Sequence, residues 1–334
     1  MPASLRDAGD EELRACLERA LSEVAGRPQR VAGLSRRAFA YETSFAIDEL
    51  EVELAGGEQL GLLVKDVGPT GLSAPAAAAK PDFTLDPRRE IAVYRSLLDR
   101  SGVSAPRYYG AGEDSASGRA WLFIERVEGE VLADVGEPEA WQAAAAWAGG
   151  LDRALAIEDP DLEAHLLQRD REWHSQWIGR AIFASSTRGD GDLKRRLAPV
   201  APTLLDRLEA LPRGFVHGEL YASNVVVERQ EGGVRIAPVD WELAGIGPFA
   251  LDLAALLSGW GDDERSAMCE AFHRSLPPER RAAVSREILL DAANLCELAL
   301  ALQWIGWSQQ WLPPAEHHRN WTAEALRLLE ETGL

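Results

Sequence analysis

The pattern of apolar and polar positions changes period partway along the chain. Residues 10–25 place Leu13, Leu17, Ala20, Leu21 and Val24 on one stripe, at the spacing that predicts an amphipathic helix. Strand signals follow. "QRVAGL" is short and bounded by Gly33, and "FAYETSFAI" leads into "LEVELAGGEQLGLLVKDV", two alternating runs joined by Ala55-Gly56-Gly57 as a hairpin turn. Residues 68–86 are rich in Pro, Gly and Ala and read as a mobile loop. Asp86 and Pro87 supply the cap and first position of a helix at 87–100. "PRYYGAG" and "RAWLFIERV" then pair as strands across "EDSASG". From Glu137 onward the helical period dominates, at 137–157, 161–184, 191–211, 249–259, 262–275, 279–306 and 314–331. The exception is a short hairpin, "NVVVE…VRIAPVD". The pattern predicts an α+β protein with an antiparallel-sheet N-lobe at 1–127 and a mainly helical C-lobe at 128–334, joined near Glu128-Gly129.

Composition narrows the function classes. A chain of 334 residues suits two lobes, and 46% apolar with 27% charged residues suits a soluble globular protein. The formal charge, 35 minus 54 or −19, argues against a nucleic-acid backbone or an anionic membrane as main partner. It is weakly compatible with a cationic small substrate, but plain solubility is the favoured reading. Cys16, Cys269 and Cys296 show neither metal nor disulfide spacing, which predicts a reducing, cytoplasmic setting. The N-terminus is acidic and amphipathic, unlike a secretory or transit peptide. No uninterrupted apolar run approaches ~18 residues, so no membrane span is expected.

The candidate chemistry centres on "FVHGELYASNVVV", residues 215–227, with Asp240 sixteen residues beyond Asn224. Phosphoryl transfer needs a carboxylate near the acceptor hydroxyl and oxygen ligands for Mg²⁺, which bridges the phosphates. Glu219 supplies the first, Asn224 and Asp240 the second, and the intervening hairpin would bring the two ligands to one edge. Taken singly, Asn224 is an ordinary turn residue, Asp240 a cap and His217 a buried hydrogen-bonder; their order and spacing together favour the catalytic reading.

"HGELYASN", "PVDWE" and "GPFALDLAAL" resemble the catalytic loop, metal-binding loop and following helix of the aminoglycoside phosphotransferase and choline kinase family. The resemblance covers nearly the whole chain. It implies a bilobal protein-kinase-like fold and an enzyme that uses ATP and Mg²⁺. It makes Asn224 and Asp240 metal ligands, and gives Asp252 and His217 structural roles around the loop. Lys65, late in "LGLLVKDV", resembles the strand lysine that contacts nucleotide phosphates. Glu90, in "DPRREIAVYRSLL", resembles the helix glutamate that pairs with it. "WLFIERVEGEVL" resembles the segment joining the lobes, whose backbone around Glu125 to Val127 would receive the adenine.

Two stretches depart from the family pattern. "GLSRRAFAYETS", expected to cover the phosphates, holds only Gly33; Ser35, Thr43 and Ser44 would supply hydroxyls instead, and Arg36 and Arg37 read equally as phosphate contacts or as a solvated turn. The family's usual loop is H-G-D, and here Glu219 replaces the aspartate. Base strength hardly changes, with reference pKa values of about 3.9 and 4.3, but reach does. A dead site would more plausibly have lost charge at 219, a metal ligand or the strand lysine, and all three are present. For the acceptor, Glu297, Trp304, Trp307 and Trp311 recur at near-helical spacing and read either as core or as a pocket for a sugar or a cationic amine, with Tyr221 close by. The expectation is an ATP- and Mg²⁺-dependent phosphotransferase acting on a hydroxyl of a sugar, an aminoglycoside-like compound or an amino alcohol. A nucleotide-binding pseudokinase is the rival reading. A protein-kinase role is disfavoured by the short "WELAGIGPFAL" between Asp240 and Asp252.

Overall fold

The computed structural model describes residues 8–40, 44–98, 101–114, 118–151, 159–187, 191–307 and 319–334. Two compact units emerge. One runs to Glu128 and includes Asp159–His165; the other comprises Gly129–Glu158 and Leu166–Leu334.

The first unit is a five-stranded antiparallel sheet, β1 (Val31–Ala38), β2 (Ile47–Leu54), β3 (Gln59–Asp66), β4 (Tyr108–Asp114) and β5 (Arg119–Glu125), in the order β1-β2-β3-β5-β4. Leu50, Val52, Leu62, Val64 and Phe123 put their apolar side chains into one core with helix α1 (Asp10–Ala25). Gly110 and Gly112 in β4 leave room for Ala20 and Cys16 of α1. Val24, on the expected stripe, is exposed near the C-terminal end of α1.

Residues 68–86 are not simply a loop. They contain helix α2 (Ala74–Ala79), whose N-terminus is capped by Ser73 Oγ, accepting from Ala76 N at 3.4 Å. The alanine run inside the expected loop is a good helix former once capped. The helix expected at 87–100 is a short α turn, α3 (Arg89–Ala92), continuing as a π turn over Val93–Leu98. Asp86 accepts from Arg88 N at 2.9 Å, but this closes a turn before the helix: the N-cap position is Arg88, with no side-chain cap, so Asp86 and Pro87 do not open it as expected.

The single boundary expected after residue 127 misses one segment. Helix α5 (Pro160–His165), which follows α4 (Pro138–Gly150), packs on α3 in the first unit. The buried Arg89 donates to His165 O at 2.7 Å and Thr84 O at 2.9 Å, and His165 Nδ1 lies 2.9 Å from Asp86. Strand β7 (Leu167–Gln168) therefore interrupts the helix expected over 161–184, which resumes as α6 (Arg171–Thr187).

The second unit adds two small sheets. β6 (Glu130–Val131), β9 (Val225–Gln230) and β10 (Gly233–Pro238) form one in the order β10-β9-β6. β7, β8 (Arg213–Val216) and β11 (Gly245–Pro248) form the other, with β11 between its neighbours. The remaining helices are α7 (Gly191–Glu209), α8 (Leu251–Leu257), α9 (Asp262–Ser275), α10 (Pro278–Ala283), α11 (Arg286–Trp307) and α12 (Trp321–Glu331). Among the described residues α11 alone is long and apolar enough to cross a membrane by length and composition, and 78% of its most apolar window is buried inside the protein. Apolar on all sides, it reads as the central helix of this unit's core. The three cysteines are free and buried, and burial pushes the thiols of Cys16 and Cys269 up to about 11.

Candidate active site

In the first unit, Lys65 occupies the penultimate position of β3, opposite Ile47 on one side and Leu122 on the other. Glu90 enters from α3, and Nζ meets its Oε2 at 2.7 Å with both side chains buried. Two charges removed from water at this distance each need the other. The Phe45 ring lies beneath, 5.2 Å from Lys65 Nζ and 5.3 Å from Lys80 Nζ. Neither Phe45 nor Lys80 has a sequence signal of its own. Ser44, next to Phe45, accepts from Ser73 N at 2.8 Å through its carbonyl.

The other first-unit candidates are placed less directly. β1 continues through Ala38, so Ser35 is an exposed strand residue paired with Glu51 rather than part of a loop. Cross-strand charge pairs extend the strand: Arg37 Nε donates to Glu49 at 2.8 Å, and Arg36 lies 3.4 Å from Asp48. These contacts favour a sheet role for both arginines. Thr43 lies outside the described residues. Glu125 ends β5, and its carboxylate accepts from Arg107 N at 2.9 Å; Val127 follows it, half-buried.

In the second unit, β8 delivers the chain to His217. A tight loop then leads through a 3-10 turn, Ala222–Asn224, into β9. Asp252, in the first turn of α8, accepts from His217 N at 2.7 Å and Gly218 N at 2.9 Å. Burial raises its carboxyl to about 6, while those two backbone amides pull the other way. His217 Nε2 is 3.0 Å from Val239 O, and its Nδ1 is 3.3 Å from Glu219 N. A carbonyl can only accept and an amide N–H can only donate, so the imidazole is neutral with its proton on Nε2. Its ring packs 4.4 Å from that of the buried Trp241.

Gly218 has φ 90. A Cβ there would collide with Leu243 O and with the guanidinium of Arg169. Arg169 is fully buried and donates to Gly218 O at 3.2 Å and Leu243 O at 3.0 Å. Gly218→Ala should therefore lower stability by roughly 3 kcal/mol or more, combining left-handed backbone strain with a backbone clash. Urea unfolding checks this, and a loss below about 1 kcal/mol would contradict the loop geometry.

Glu219 is pinned through its backbone. Its N–H donates to His217, and its carbonyl accepts from Tyr221 N at 2.7 Å and Asn224 Nδ2 at 2.9 Å. The hairpin of β9 and β10 sets Val225 opposite Pro238, and Val239 N donates to Asn224 O at 2.9 Å. Asn224 and Asp240 are thus neighbours at the hairpin base. Asp240 has φ 67, alone among described non-glycine residues in the left-handed region. Asparagine and aspartate tolerate that conformation better than most side chains.

This donor set fits a hard divalent cation. The amide nitrogen of Asn224 is committed to Glu219, which turns Oδ1 to the other side, and Asp240 adds a half-buried carboxylate. No group of three or more His, Cys, Asp or Glu able to hold a metal occurs among the described residues. Two protein oxygens completed by phosphates and water suit Mg²⁺ better than a cage built wholly of protein would.

A cavity of about 240 Å³ in the second unit borders Tyr221, Ala222 and Ser223 of this loop. Trp304 lines it, 5.3 Å from Tyr221 and stacked at 5.4 Å on Trp321. Glu297 also lines it, but its carboxylate is taken by Arg265, at 2.7 and 3.0 Å. Burial raises the Glu297 carboxyl, while Arg265 pulls it back down. Trp307, one turn further on, instead packs 4.9 Å from Trp177, and Trp311 lies outside the described residues. Arg169, Arg265 and Arg319 were not foreseen. Arg169 is buried, Arg265 partly buried and Arg319 exposed, and no local sequence pattern marks an arginine by which of these it will be.

A model of the phosphotransferase enzyme family matches residues 73–284. A viomycin phosphotransferase from Streptomyces vinaceus is 31% identical over 149 residues, 43% of this chain and 51% of that protein, so the chain spans about half the length of this curated relative. Among solved structures, a GDP complex of a mutant aminoglycoside 2'-phosphotransferase IIIa superposes with a TM-score of 0.57 at 14% identity, over 90% of this chain and 92% of the other. An ethanolamine kinase from Plasmodium vivax gives 0.57 at 14% identity, over 91% and 83%. A choline kinase from Streptococcus pneumoniae gives 0.55 at 15% identity, over 93% and 96%. The fold is shared with these protein-kinase-like enzymes.

Proposed function

Since the chain belongs to the phosphotransferase enzyme family, we propose that it transfers the γ-phosphoryl group of ATP, with Mg²⁺, to a hydroxyl of a small molecule such as a sugar, an aminoglycoside-like compound or an amino alcohol. The observation that carries this reading is the anchored loop, which holds the Glu219 backbone and sets Asn224 beside Asp240 at one hairpin base.

Asn224 Oδ1 and the Asp240 carboxylate would hold Mg²⁺, which would supply positive charge against the phosphates. Lys65 would contact the nucleotide phosphates, with Glu90 fixing its ammonium. Glu219 would accept the proton of the acceptor hydroxyl as the new oxygen–phosphorus bond forms and ADP departs. Asp252, His217 and Arg169 would act only by holding the loop backbone.

Mg·ATP should raise the melting temperature of the wild type by mass action. Asp240→Asn suits φ 67 while removing the charge, and Asn224→Ala removes the other oxygen; each should abolish the Mg²⁺-dependent part of the shift. A wild type that shows no shift at millimolar Mg·ATP, and none with Mg·GTP, would count decisively against the assignment.

A further inference from the structure

The cavity beside Tyr221–Ser223 has three charged side chains in its wall, Glu297, Arg319 and Glu324. Both carboxylates are already answered by arginines of their own unit. Arg265 grips Glu297 at 2.7 and 3.0 Å, and Arg327 grips Glu324 at 2.5 and 3.2 Å. Arg319 differs: it has no carboxylate partner among the described residues. Its guanidinium donates to Ser258 Oγ at 2.6 Å and lies 5.8 Å from the centroid of Trp321. It also packs close on Gly259, which has φ 93 and where a side chain would press into it. A hydroxyl, a glycine and an aromatic face thus hold this exposed arginine at the cavity wall, and none of the three is an anion.

The usual argument for a cationic ligand in such a pocket is an aromatic cage. Here one face of Trp321 is stacked on Trp304, nearly parallel at 5°, and the cation over Trp321 is the protein's own Arg319. An incoming ammonium would have to share a carboxylate already bonded to Arg265 or Arg327, beside the positive charge of Arg319. An incoming anion meets an oriented donor fork. The cavity volume, about 240 Å³, falls below the usual range of about 300–1,000 Å³ for ligand pockets and favours a one-ring acceptor over a multi-ring one.

We propose that the acceptor is a small hydroxyl compound bearing an anionic group, a carboxylate or a phosphate, which Arg319 binds at the cavity wall while tryptophan surfaces cover the apolar part of the molecule. The inference rests on the phosphotransferase reading. The acceptor oxygen attacks the γ-phosphorus of ATP, the bond to the β-phosphate oxygen breaks, ADP keeps the electron pair, and the hydroxyl proton passes to Glu219.

The test uses the full chain with Mg·ATP and four matched probes: glucose, glucuronate, glucose 6-phosphate and glucosamine. ADP release gives kcat/KM, and calorimetry in the presence of Mg·ADP gives binding. At least one anionic probe should exceed glucose, and glucosamine should be poorest. The two anionic arms distinguish carboxylate from phosphate. Arg319→Gln should lower kcat/KM for the preferred anion by about 10- to 100-fold and change that for glucose by less than about twofold, as expected for losing one charge-assisted contact. Arg319→Lys, which keeps the charge and loses the fork, should fall between them. Preference for glucosamine, an anion preference that survives Arg319→Gln, or no binding of either anion would overturn the inference. A normal Mg·ATP thermal shift alongside any of these leaves the kinase reading standing, whereas failure of that reading removes the shift itself.

Discussion

Glu219→Gln should retain the Mg·ATP thermal shift and lose turnover by roughly 10²- to 10⁴-fold, the range expected for removing a general base. Retention follows from geometry: Asn224 is fixed through its own amide to the Glu219 carbonyl, which the substitution does not touch. The informative companion is Glu219→Asp, which restores the residue more usual in the resembling motif. Three hydrogen bonds fix the backbone at 219, through Glu219 N, and through its carbonyl to Tyr221 and Asn224. The main chain therefore cannot advance to offset a side chain shorter by one methylene. Misplacement by about 1 Å can cost about a hundredfold, so the aspartate variant should also be slower than wild type. A nucleotide-binding scaffold whose Glu219 is a lesion predicts the reverse, an inactive wild type beside an active aspartate variant. Assaying the three proteins side by side on the same acceptors separates the two outcomes.

Lys65→Ala should reduce turnover far more than nucleotide affinity, because a phosphate-positioning charge matters most where charge develops in the transition state. It should also destabilise the fold. Glu90 is only 2% exposed and sits 2.7 Å from the lysine, so removing the lysine takes the opposing charge from a buried carboxylate, at a penalty of about 3–5 kcal/mol. Glu90→Ala should be costly in the same way. The double variant removes both charges and should lose markedly less stability than the two singles added together. Chemical unfolding of the four proteins gives the coupling directly. Strictly additive losses, with Lys65→Ala slowing turnover equally in both backgrounds, would show that the two residues act independently.

The second-unit loop was legible because its parts lie close in sequence. His217, Glu219 and Asn224 share one loop, and the alternating hairpin after it points to the return at Asp240. The pairing of Lys65 with Glu90 was implied by the family resemblance of the strand lysine and the helix glutamate; the local pattern alone allowed a solvated lysine and a first-turn glutamate. What stayed hidden depends on partners remote in sequence. Ser35 belongs to a strand because carboxylates of β2 meet its neighbouring arginines. Glu297 is neutralised by Arg265 thirty-two positions earlier, which removes the negative charge expected of the pocket. Trp304 and Trp307 differ by one helical turn, yet one lines the cavity and the other packs on Trp177. Periodicity says that a helix has a buried face, but it cannot say which part of that face borders empty space. The return of Asp159–His165 to the first unit is likewise a matter of three-dimensional contacts, made by Arg89 and Asp86, with no local marker.

The hairpin of β9 and β10 has a practical corollary. Its base, where Val225 faces Pro238 and Val239 bonds to Asn224, sets the separation of Asn224 and Asp240, while its far end at Glu231 to Gly233 is exposed and touches neither residue. Ladder rungs added in pairs there would lengthen the ribbon outward and leave the base unchanged. The number of residues between the asparagine and the aspartate is therefore free to drift among homologues, and a sequence search demanding a fixed interval would discard genuine relatives. The same tip is a natural place to graft an epitope or a fluorophore.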